Sequence, residues 1–507
     1  MAIQILCATF YGVEGIIVNV EIDTSYGLPS FNIVGLGDAA VKESKERVRS
    51  AIINSGFEFP VSRITINLAP ADLKKEGSHF DLPIAIGILA ATNQISPSEI
   101  EGYLFIGELS LNGYLKRVKG ALPIVIEGAK QGVSKYIIPI DNAEECSIIK
   151  NTDIYPMENL EQTINFLRYK DMLPYKNCEI ANTYMNNNSL DLNEVIGQEA
   201  AKRALEVAAA GNHNIIFHGS PGSGKTMLAQ RIISILPSLT YEESLEVTRI
   251  YSVSGGIGKD RLITTRPFRN PHHTITSIAL IGGGRNPAPG EASLAHNGVL
   301  FLDEILEFNK NSLQVLRQPL EEREVKLSRI NGTIKYPANF MLIGALNPCP
   351  CGYFGTNVKR CKCTEYEIKR YLGRISGPLL DRVDIFSSVN PISYDEINGE
   401  SKGESSLDIK KRVEKAREIQ KERFKGDNIN CNSEMKEKHL KKYCNLNEKS
   451  NKILKIAYDK LSLSTRAYSR ILKVARTIAD LSDKENIDEK DLIEALQYRK
   501  FIDENAI

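Results

Sequence analysis

An α/β protein with a wholly helical C-terminal tail is the fold class this sequence predicts, and three observations predict it. Short β-branched runs alternate with amphipathic stretches near the N-terminus, an apolar strand mid-chain runs into a glycine loop and then a helix, and beyond residue 396 only helical spacing remains. The 507 residues suggest about three domains at roughly 150 residues each. An apolar content of 42% with 25% charged residues suffices for several cores. The 64 Lys and Arg against 63 Asp and Glu leave a net charge of +1. That excludes a chain coated in basic charge, so any nucleic-acid contact must come from local patches. The N-terminus lacks a signal pattern, and no apolar run approaches the roughly 18 residues that span a bilayer. A soluble, cytoplasmic protein with no membrane partner is expected.

Residues 1–168 read as a first α/β domain. Gly15 to Ile22 and Arg63 to Leu68 are strand-like, Asp38 to Ile53 has helical spacing, and Leu82 to Ala91 is a continuous apolar segment. Tyr103 to Ser110 and Lys135 to Pro139 add strand-like runs. Residues 169–189 read as a linker, because Asn177 to Ser189 is polar, turn-prone and aperiodic. Residues 190–395 show the strand, loop and helix grammar of a parallel sheet. A polar break from Asn398 to Ser406 then opens the last domain, 396–507, with helices expected over Ile409 to Phe424, Lys449 to Leu461, Ser464 to Leu481 and Glu489 to Arg499. Asp488 stands where an N-cap is needed.

The most specific motif is Gly219-Ser220-Pro221-Gly222-Ser223-Gly224-Lys225-Thr226, preceded by the strand-like Asn214 to Phe217 and followed by a helical run. Glycines let consecutive backbone N–H groups turn inward around phosphate oxygens, and the following helix start adds its positive dipole end. Lys225 is expected on the β and γ phosphates of ATP, and the Thr226 hydroxyl on Mg²⁺. A second strand, Gly298 to Leu302, ends in Asp303 and Glu304. Asp303 is expected to support Mg²⁺ through its water shell and Glu304 to polarise the attacking water.

These residues resemble an AAA+ ATPase. Val195 to Ala201 ahead of the loop and Leu346-Asn347-Pro348 after a third apolar strand carry the likeness. The strings Arg266 to His273, Pro289 to Asn297, Leu316 to Glu321 and Asn347 to Gly352 are similar to the magnesium-chelatase-like branch, and within it to the ComM/YifB family of bacteria. The resemblance implies an AAA+ core with a helical lid. It also implies a hexameric ring that hydrolyses ATP, moves on single-stranded or branched DNA, and drives branch migration in recombination or natural transformation. Asn347 is then the polar sensor of the γ-phosphate or attacking water, Arg382 the arginine finger given to a neighbouring subunit, and Arg466 the lid sensor. Arg374 and Arg470 lie close enough in sequence to take either arginine role. A metal-chelatase motor subunit and a non-hydrolysing nucleotide-gated scaffold are the alternatives. The long N-terminal domain weighs against the first, and Lys225, Asp303 and Glu304 against the second.

Of nine cysteines, Cys349, Cys351, Cys361 and Cys363 fall within fifteen residues. Two C-x-C pairs can close a tetrahedral structural Zn²⁺ shell; reduced free thiols are the plain alternative. Cys7, Cys146, Cys178, Cys431 and Cys444 are scattered and read as ordinary thiols.

Two segments gather cations: Lys259 to His273, with Lys259, Arg261, Arg266 and Arg269, and Arg323 to Lys335, with Arg323, Lys326, Arg329 and Lys335. The second alternates like a hairpin about Asn331-Gly332. In the resembling family both lie in inserts facing a ring pore, which makes Arg266, Arg269, Lys326 and Arg329 candidate DNA contacts. Solvated loops, or a subunit-interface role for Arg266 to His273, are the alternatives. In residues 1–168, Lys75 to Pro83 and Ile106 to Gly113 resemble the Lon-protease catalytic fold. Asp81 stands in the serine position and Pro123 in the lysine position, so the domain is expected to be proteolytically inactive. Ser78 with Lys74, Lys75 or Lys119 would need a new geometry to form another dyad.

Overall fold

Alternate burial along the first strands lays down the N-terminal sheet, because period-two apolar residues leave one strand face dry. The structure, a computed structural model, describes residues 2–75, 77–175, 190–256, 262–284, 287–329, 332–356, 359–392, 403–460 and 463–499. Cysteine 178, Lys259, Arg261, Asn331, Leu461 and most of the expected linker and of the Asn398 to Ser406 break lie outside the described residues. Two compact units form, one from residues 1–184, 241–263 and 328–336, the other from 185–240, 264–327 and 337–507.

The first unit contains β1 (Ile3–Tyr11), β2 (Glu14–Ser25), β3 (Ser30–Val34), β4 (Arg63–Ala69), β5 (Tyr103–Phe105), β6 (Glu108–Leu109), β7 (Leu115–Lys116), β8 (Lys135–Pro139) and β9 (Asp153–Met157). Seven strands make one sheet in the order β3-β4-β2-β1-β5-β8-β9. β2 is antiparallel to β1 and β4, and the remaining pairs are parallel. The apolar segment at Leu82 is a helix, Asp81–Ala91, buried from Asp81 to Ala90. Gly87 lets it approach β2, since a Cβ there would lie 2.1 Å from Ile22 Cδ1. Asp38 caps the helix Ala39–Asn54 by accepting the Val41 N–H.

Tyr103 to Ser110, expected as one strand, is two. Between β5 and β6 the backbone turns its hydrogen bonds away from the sheet, with Gly107 N–H donating to His79 O and Leu82 N–H to Gly107 O. A side chain at 107 would collide with Leu115 at 2.6 Å. The helix Tyr241–Ser254 also belongs to this unit, packing on the helix Ala121–Lys130, with Arg249 donating to Val13 O at 2.7 Å.

The second unit contains β10 (Ile215–His218), β11 (Phe268–Arg269), β12 (Gly282–Gly283), β13 (Ala288–Pro289), β14 (Val299–Leu302), β17 (Met341–Leu346) and β18 (Ile385–Ser388), while of the two strands β15 (Glu324–Arg329) and β16 (Gly332–Pro337) residues 328–336 belong to the first unit. Five form an all-parallel sheet in the order β11-β14-β17-β10-β18. β14 and β17 are buried along their whole length, as a parallel sheet covered on both faces requires. β15 and β16 form the expected hairpin, with Val325, Leu327, Ile334 and Tyr336 buried, Lys326 and Lys335 on the opposite, exposed face, and Arg329 exposed at the end of β15.

The tail helices are Ser406–Arg423, Glu437–Tyr443, Glu448–Lys460, Thr465–Leu481 and Glu489–Gln497. Ser464 and Asp488 cap the last two by accepting Ala467 and Asp491 N–H. Glu437–Tyr443 was not expected, since its charged sequence gives little periodic signal. Ser406–Arg423 and Thr465–Leu481 pack on the helix Glu199–Gly211 that precedes β10, and one core runs through them. Beneath it, His213 bonds Thr477 Oγ1 at 2.8 Å and Asp384 at 3.3 Å. Burial alone would push Asp384 up, yet the facing Arg470 and His213 hold it well below the usual carboxylate range.

In the first unit, burial pushes the His79 imidazole down to about 4, and its Nε2 is buried without a partner. Above the ordinary imidazole value near 6.5 both native and unfolded states are neutral there. Below it the unfolded chain takes up a proton that the native state refuses, so stability falls as pH drops toward about 4. The expected loss at pH 5 is about 2 kcal/mol from this residue. Urea unfolding at pH 7.5 and pH 5 measures it, and an equal loss in His79→Gln would contradict it.

Candidate functional site

Parallel register places the site. β10 lies between β17 and β18, with His218 opposite Leu346 and Ser388. The chain leaving β10 therefore runs between the ends of its two neighbours. Gly219 N–H donates to Leu346 O at 3.3 Å, and a Cβ on Gly219 would sit 2.1 Å from Val389 O. Gly222 and Gly224 take φ of 76° and 95°, in the left-handed region open to glycine. Beyond the adjoining backbone, no atom of the described residues lies within 4 Å of where their Cβ atoms would be. The helix Lys225–Ile235 then starts with its N–H groups facing this cradle. Ser223 Oγ is buried in the loop without a hydrogen-bond partner.

Lys225 is buried, and its Nζ donates to Gly219 O and Ser220 O, both at 2.8 Å, and to Asn347 Oδ1 at 3.2 Å. Burial lowers its pKa, opposed by the nearby charges of Asp303 and Glu304. Thr226 Oγ1 donates to Asp303 Oδ2 at 2.8 Å. Thus residues from three separated segments meet: the loop after β10, the acids after β14 and the amide after β17. Glu304 is exposed, holds a left-handed φ of 49° and donates its N–H to Asp303 Oδ1 at 2.9 Å. Such a backbone is costly for a residue with a side chain and gathers at functional sites. The open glycine cradle, the orphan Ser223 hydroxyl, the buried ammonium and the Thr226 and Asp303 oxygens fit a nucleotide phosphate with Mg²⁺.

Arg382, Arg466 and Arg470 meet elsewhere. With Lys473, Glu321 and Asp381 they line a polar pocket of about 260 Å³ to which the glycine loop contributes no residue. Arg382 is buried, paired with Glu321 and Pro378 O, and its Nε has no partner. Burial lowers its pKa, and Arg317, Arg466 and Arg470 add to that effect. Arg466 is mostly exposed, 3.8 Å from Asp381, whereas Arg470 pairs with Asp384. Arg374 instead bonds Leu306 O at 3.2 Å and Glu307 at 3.0 Å. Sequence reasoning missed Lys473 as a member of this group. Its signal was present, because 466, 470 and 473 share one helix face.

The four cysteine sulfurs all lie within 4.8 Å of one another. Cys349 is 3.4 Å from Cys351 and 3.7 Å from Cys361, and Cys351 is 3.6 Å from Cys361. A Zn–S bond of about 2.3 Å gives tetrahedral edges of about 3.8 Å, close to these values. Phe354 N–H and Cys363 N–H point at the sulfurs of Cys349 and Cys361. A backbone N–H from Tyr353 pushes Cys351 down to about 6. In Cys361 and Cys363 a similar bond is outweighed by desolvation and by the neighbouring thiols, which raise them. A cation among the sulfurs would remove that conflict, so the donor set fits a structural Zn²⁺. Cys7, Cys146, Cys431 and Cys444 are free and buried.

The candidate DNA contacts are placed unevenly. Arg266 donates to Pro237 O at 2.6 Å and Asn297 O at 2.7 Å, and Arg269 grips Glu291 with two bonds of 2.6 and 2.8 Å. Lys326 meets Glu322 and Glu324 at 2.8 and 2.9 Å, and Arg329 is exposed on β15. In the first unit Asp81 is buried against Arg47 at 2.7 Å, with Ser44 and Leu109 N–H also donating to it. Pro123 lies in the helix Ala121–Lys130. Ser78 donates to Glu108, and the buried Lys75 donates to Pro70 O. No helix among the described residues is long and apolar enough to cross a membrane.

Residues 191–397 match the family described as "Magnesium chelatase, subunit ChlI". Residues 20–142 match "Subunit ChlI of Mg-chelatase", and residues 403–499 match "Magnesium chelatase, subunit ChlI C-terminal". The "Competence protein ComM" of Haemophilus influenzae is 44% identical over 495 residues, 97% of this chain and 96% of that protein. The uncharacterised YifB protein of Escherichia coli is 44% identical over 492 residues, 96% of this chain and 95% of its own. Similarity to the magnesium-chelatase 67 kDa subunit of Heliobacterium mobile is 27% over 273 residues, covering 46% of this chain and 39% of that one. The chain therefore belongs to the magnesium-chelatase-like AAA+ family, in the ComM/YifB branch whose members match it along nearly its whole length.

Proposed function

We propose that this chain is a Mg²⁺-dependent ATPase that assembles into a ring, hexameric as the resemblance implies, and works as a cytoplasmic motor on single-stranded or branched DNA. The observation that carries the ATPase reading is the meeting of Lys225 with Asn347 and of Thr226 with Asp303. Lys225 gives its charge to the β and γ phosphates, in place of the loop carbonyls it now bonds. The Thr226 hydroxyl would bind Mg²⁺, and Asp303 would support it through its water shell. Bound Mg²⁺ supplies charge neutralisation at the phosphates. Glu304, exposed at the strand end, orients and deprotonates the attacking water, and Asn347 senses the γ-phosphate or that water.

The ring reading is supported by the arginine pocket. Arg382 lines a cavity to which the glycine loop contributes no residue, as expected of an arginine that serves the neighbouring subunit's nucleotide, with Arg466, Arg470 and Lys473 beside it. The word "competence" in the name of the Haemophilus relative supports a DNA substrate and a role in transformation or recombination. The hairpin β15–β16 is the better DNA surface in this chain, with Lys326 and Lys335 on its solvent face and Arg329 exposed at the end of β15. Arg266 and Arg269, tied to carbonyls and to Glu291, are better suited to holding the insert that bears them. The N-terminal domain is read as a Lon-like scaffold without proteolysis, since Asp81 is locked to Arg47 and Ser44. The knuckle is read as a structural Zn²⁺ site.

Forked, branched or single-stranded DNA should stimulate ATP turnover with a steep salt dependence. Glu304→Gln should bind ATP and not turn it over. An ATPase indifferent to every DNA at low salt would sink the DNA reading and favour a chelatase-type motor. Arg382→Ala should lower turnover by about 10³-fold. Mixed with Glu304→Gln subunits it should regain activity, since the mixed interfaces pair an intact Arg382 with an intact Glu304. Absence of recovery would place Arg382 on its own subunit's nucleotide. Metal analysis of purified protein should find one equivalent of zinc per chain.

A further inference from the structure

The six residues from Asn347 to Gly352 touch two things at once. At one end Asn347 Oδ1 accepts from Lys225 Nζ at 3.2 Å. At the other, Gly352 lies on the glycine loop, and a Cβ on it would stand 2.4 Å from Pro221 Cδ and 2.6 Å from Cγ. Between them Cys349 and Cys351 enter the sulfur cluster. Gly352 reaches Pro221 through a turn closed by its N–H on Cys349 O at 2.9 Å, with φ of 83°. Only a residue without a Cβ fits there, on both steric and backbone grounds.

No helix or strand forms among the described residues between Leu346 and Thr364. Cys349 is buried, while the other three cysteines are half-buried. A segment so short of apolar burial has no core to hold it, so its conformation depends on the cross-link among its sulfurs. Pro221 is exposed at the loop tip, and Gly352 backs its ring.

We propose that the four-cysteine knuckle positions the phosphate-binding loop, holding Pro221 through Gly352 and Asn347 through its root, so that nucleotide affinity depends on metal shared by the four sulfurs. This rests on the ATP and zinc readings above. Gly352 and the cysteines are positioning residues, since none touches the reacting phosphate.

The test removes the metal from full-length protein with a thiol-reactive mercurial and chelator, reverses the modification with excess reducing thiol, and titrates a fluorescent ATP analogue before and after adding one equivalent of Zn²⁺. Stripping should weaken nucleotide binding by about tenfold, the scale of one lost charge-assisted hydrogen bond, and Zn²⁺ should restore it. Gly352→Ala, with all four cysteines intact, should retain zinc and show weakened binding, seen in turnover as a raised KM with a smaller change in kcat. Unchanged affinity in stripped protein, or in Gly352→Ala holding zinc, overturns the proposal. If Gly352→Ala itself sheds the metal, the reversible arm on the unsubstituted protein decides alone. Two other results strike the readings beneath it: purified protein with far less than one equivalent of metal removes the zinc site, and protein with no affinity for the analogue removes the ATP site.

Discussion

The buried ammonium of Lys225 is the constraint around which the second unit is arranged. A cation taken out of water needs acceptors close at hand, and here they come from its own loop and from Asn347. The register of β10 between β17 and β18 delivers them. Because His218 stands opposite Leu346, the residue after β17 must emerge level with the loop after β10. Shift that pairing by one residue and Asn347 leaves Lys225. The same parallel sheet brings Asp303, at the end of β14, to Thr226.

The helical tail is secured to this sheet from beneath. Thr465–Leu481 carries Arg466, Arg470 and Lys473 on one face and contributes Ile471, Leu472 and Ala475 to the core shared with Glu199–Gly211. The links of Asp384 to Arg470 and His213, and of His213 to Thr477, tie the start of β18 to that helix. Arg382, two residues before Asp384, therefore moves with the helix that bears Arg466. That coupling gives the arginine pocket a definite geometry within one subunit.

Much of this was legible from residue types and spacing. The loop 219–226, the acids at 303 and 304 and the four cysteines depend on local chemistry that only certain side chains supply, so they stand out before any fold is known. Helix starts at Asp38, Ser464 and Asp488 were equally local, each being a side chain that accepts an N–H three residues ahead. Surface cations were the least legible feature. Arg266 and Arg269 read as candidate DNA contacts, but carbonyls of Pro237 and Asn297 and the carboxylate of Glu291, distant in sequence, hold them. The break at Gly107 was hidden for the same reason, since its hydrogen bonds go to residues 79 and 82.

The α/β class, the strand, loop and helix around the nucleotide loop, the helical tail and the identity of the chemical groups follow from periodicity and from side-chain chemistry within a few residues, so they can be read along the chain before any fold is known. Which groups meet is a property of the folded chain: Asn347 on Lys225, Arg382 with Arg466 away from the loop, and Gly352 against Pro221. Those contacts join residues tens to more than a hundred positions apart, and their closeness comes from strand order and register, which no local pattern encodes.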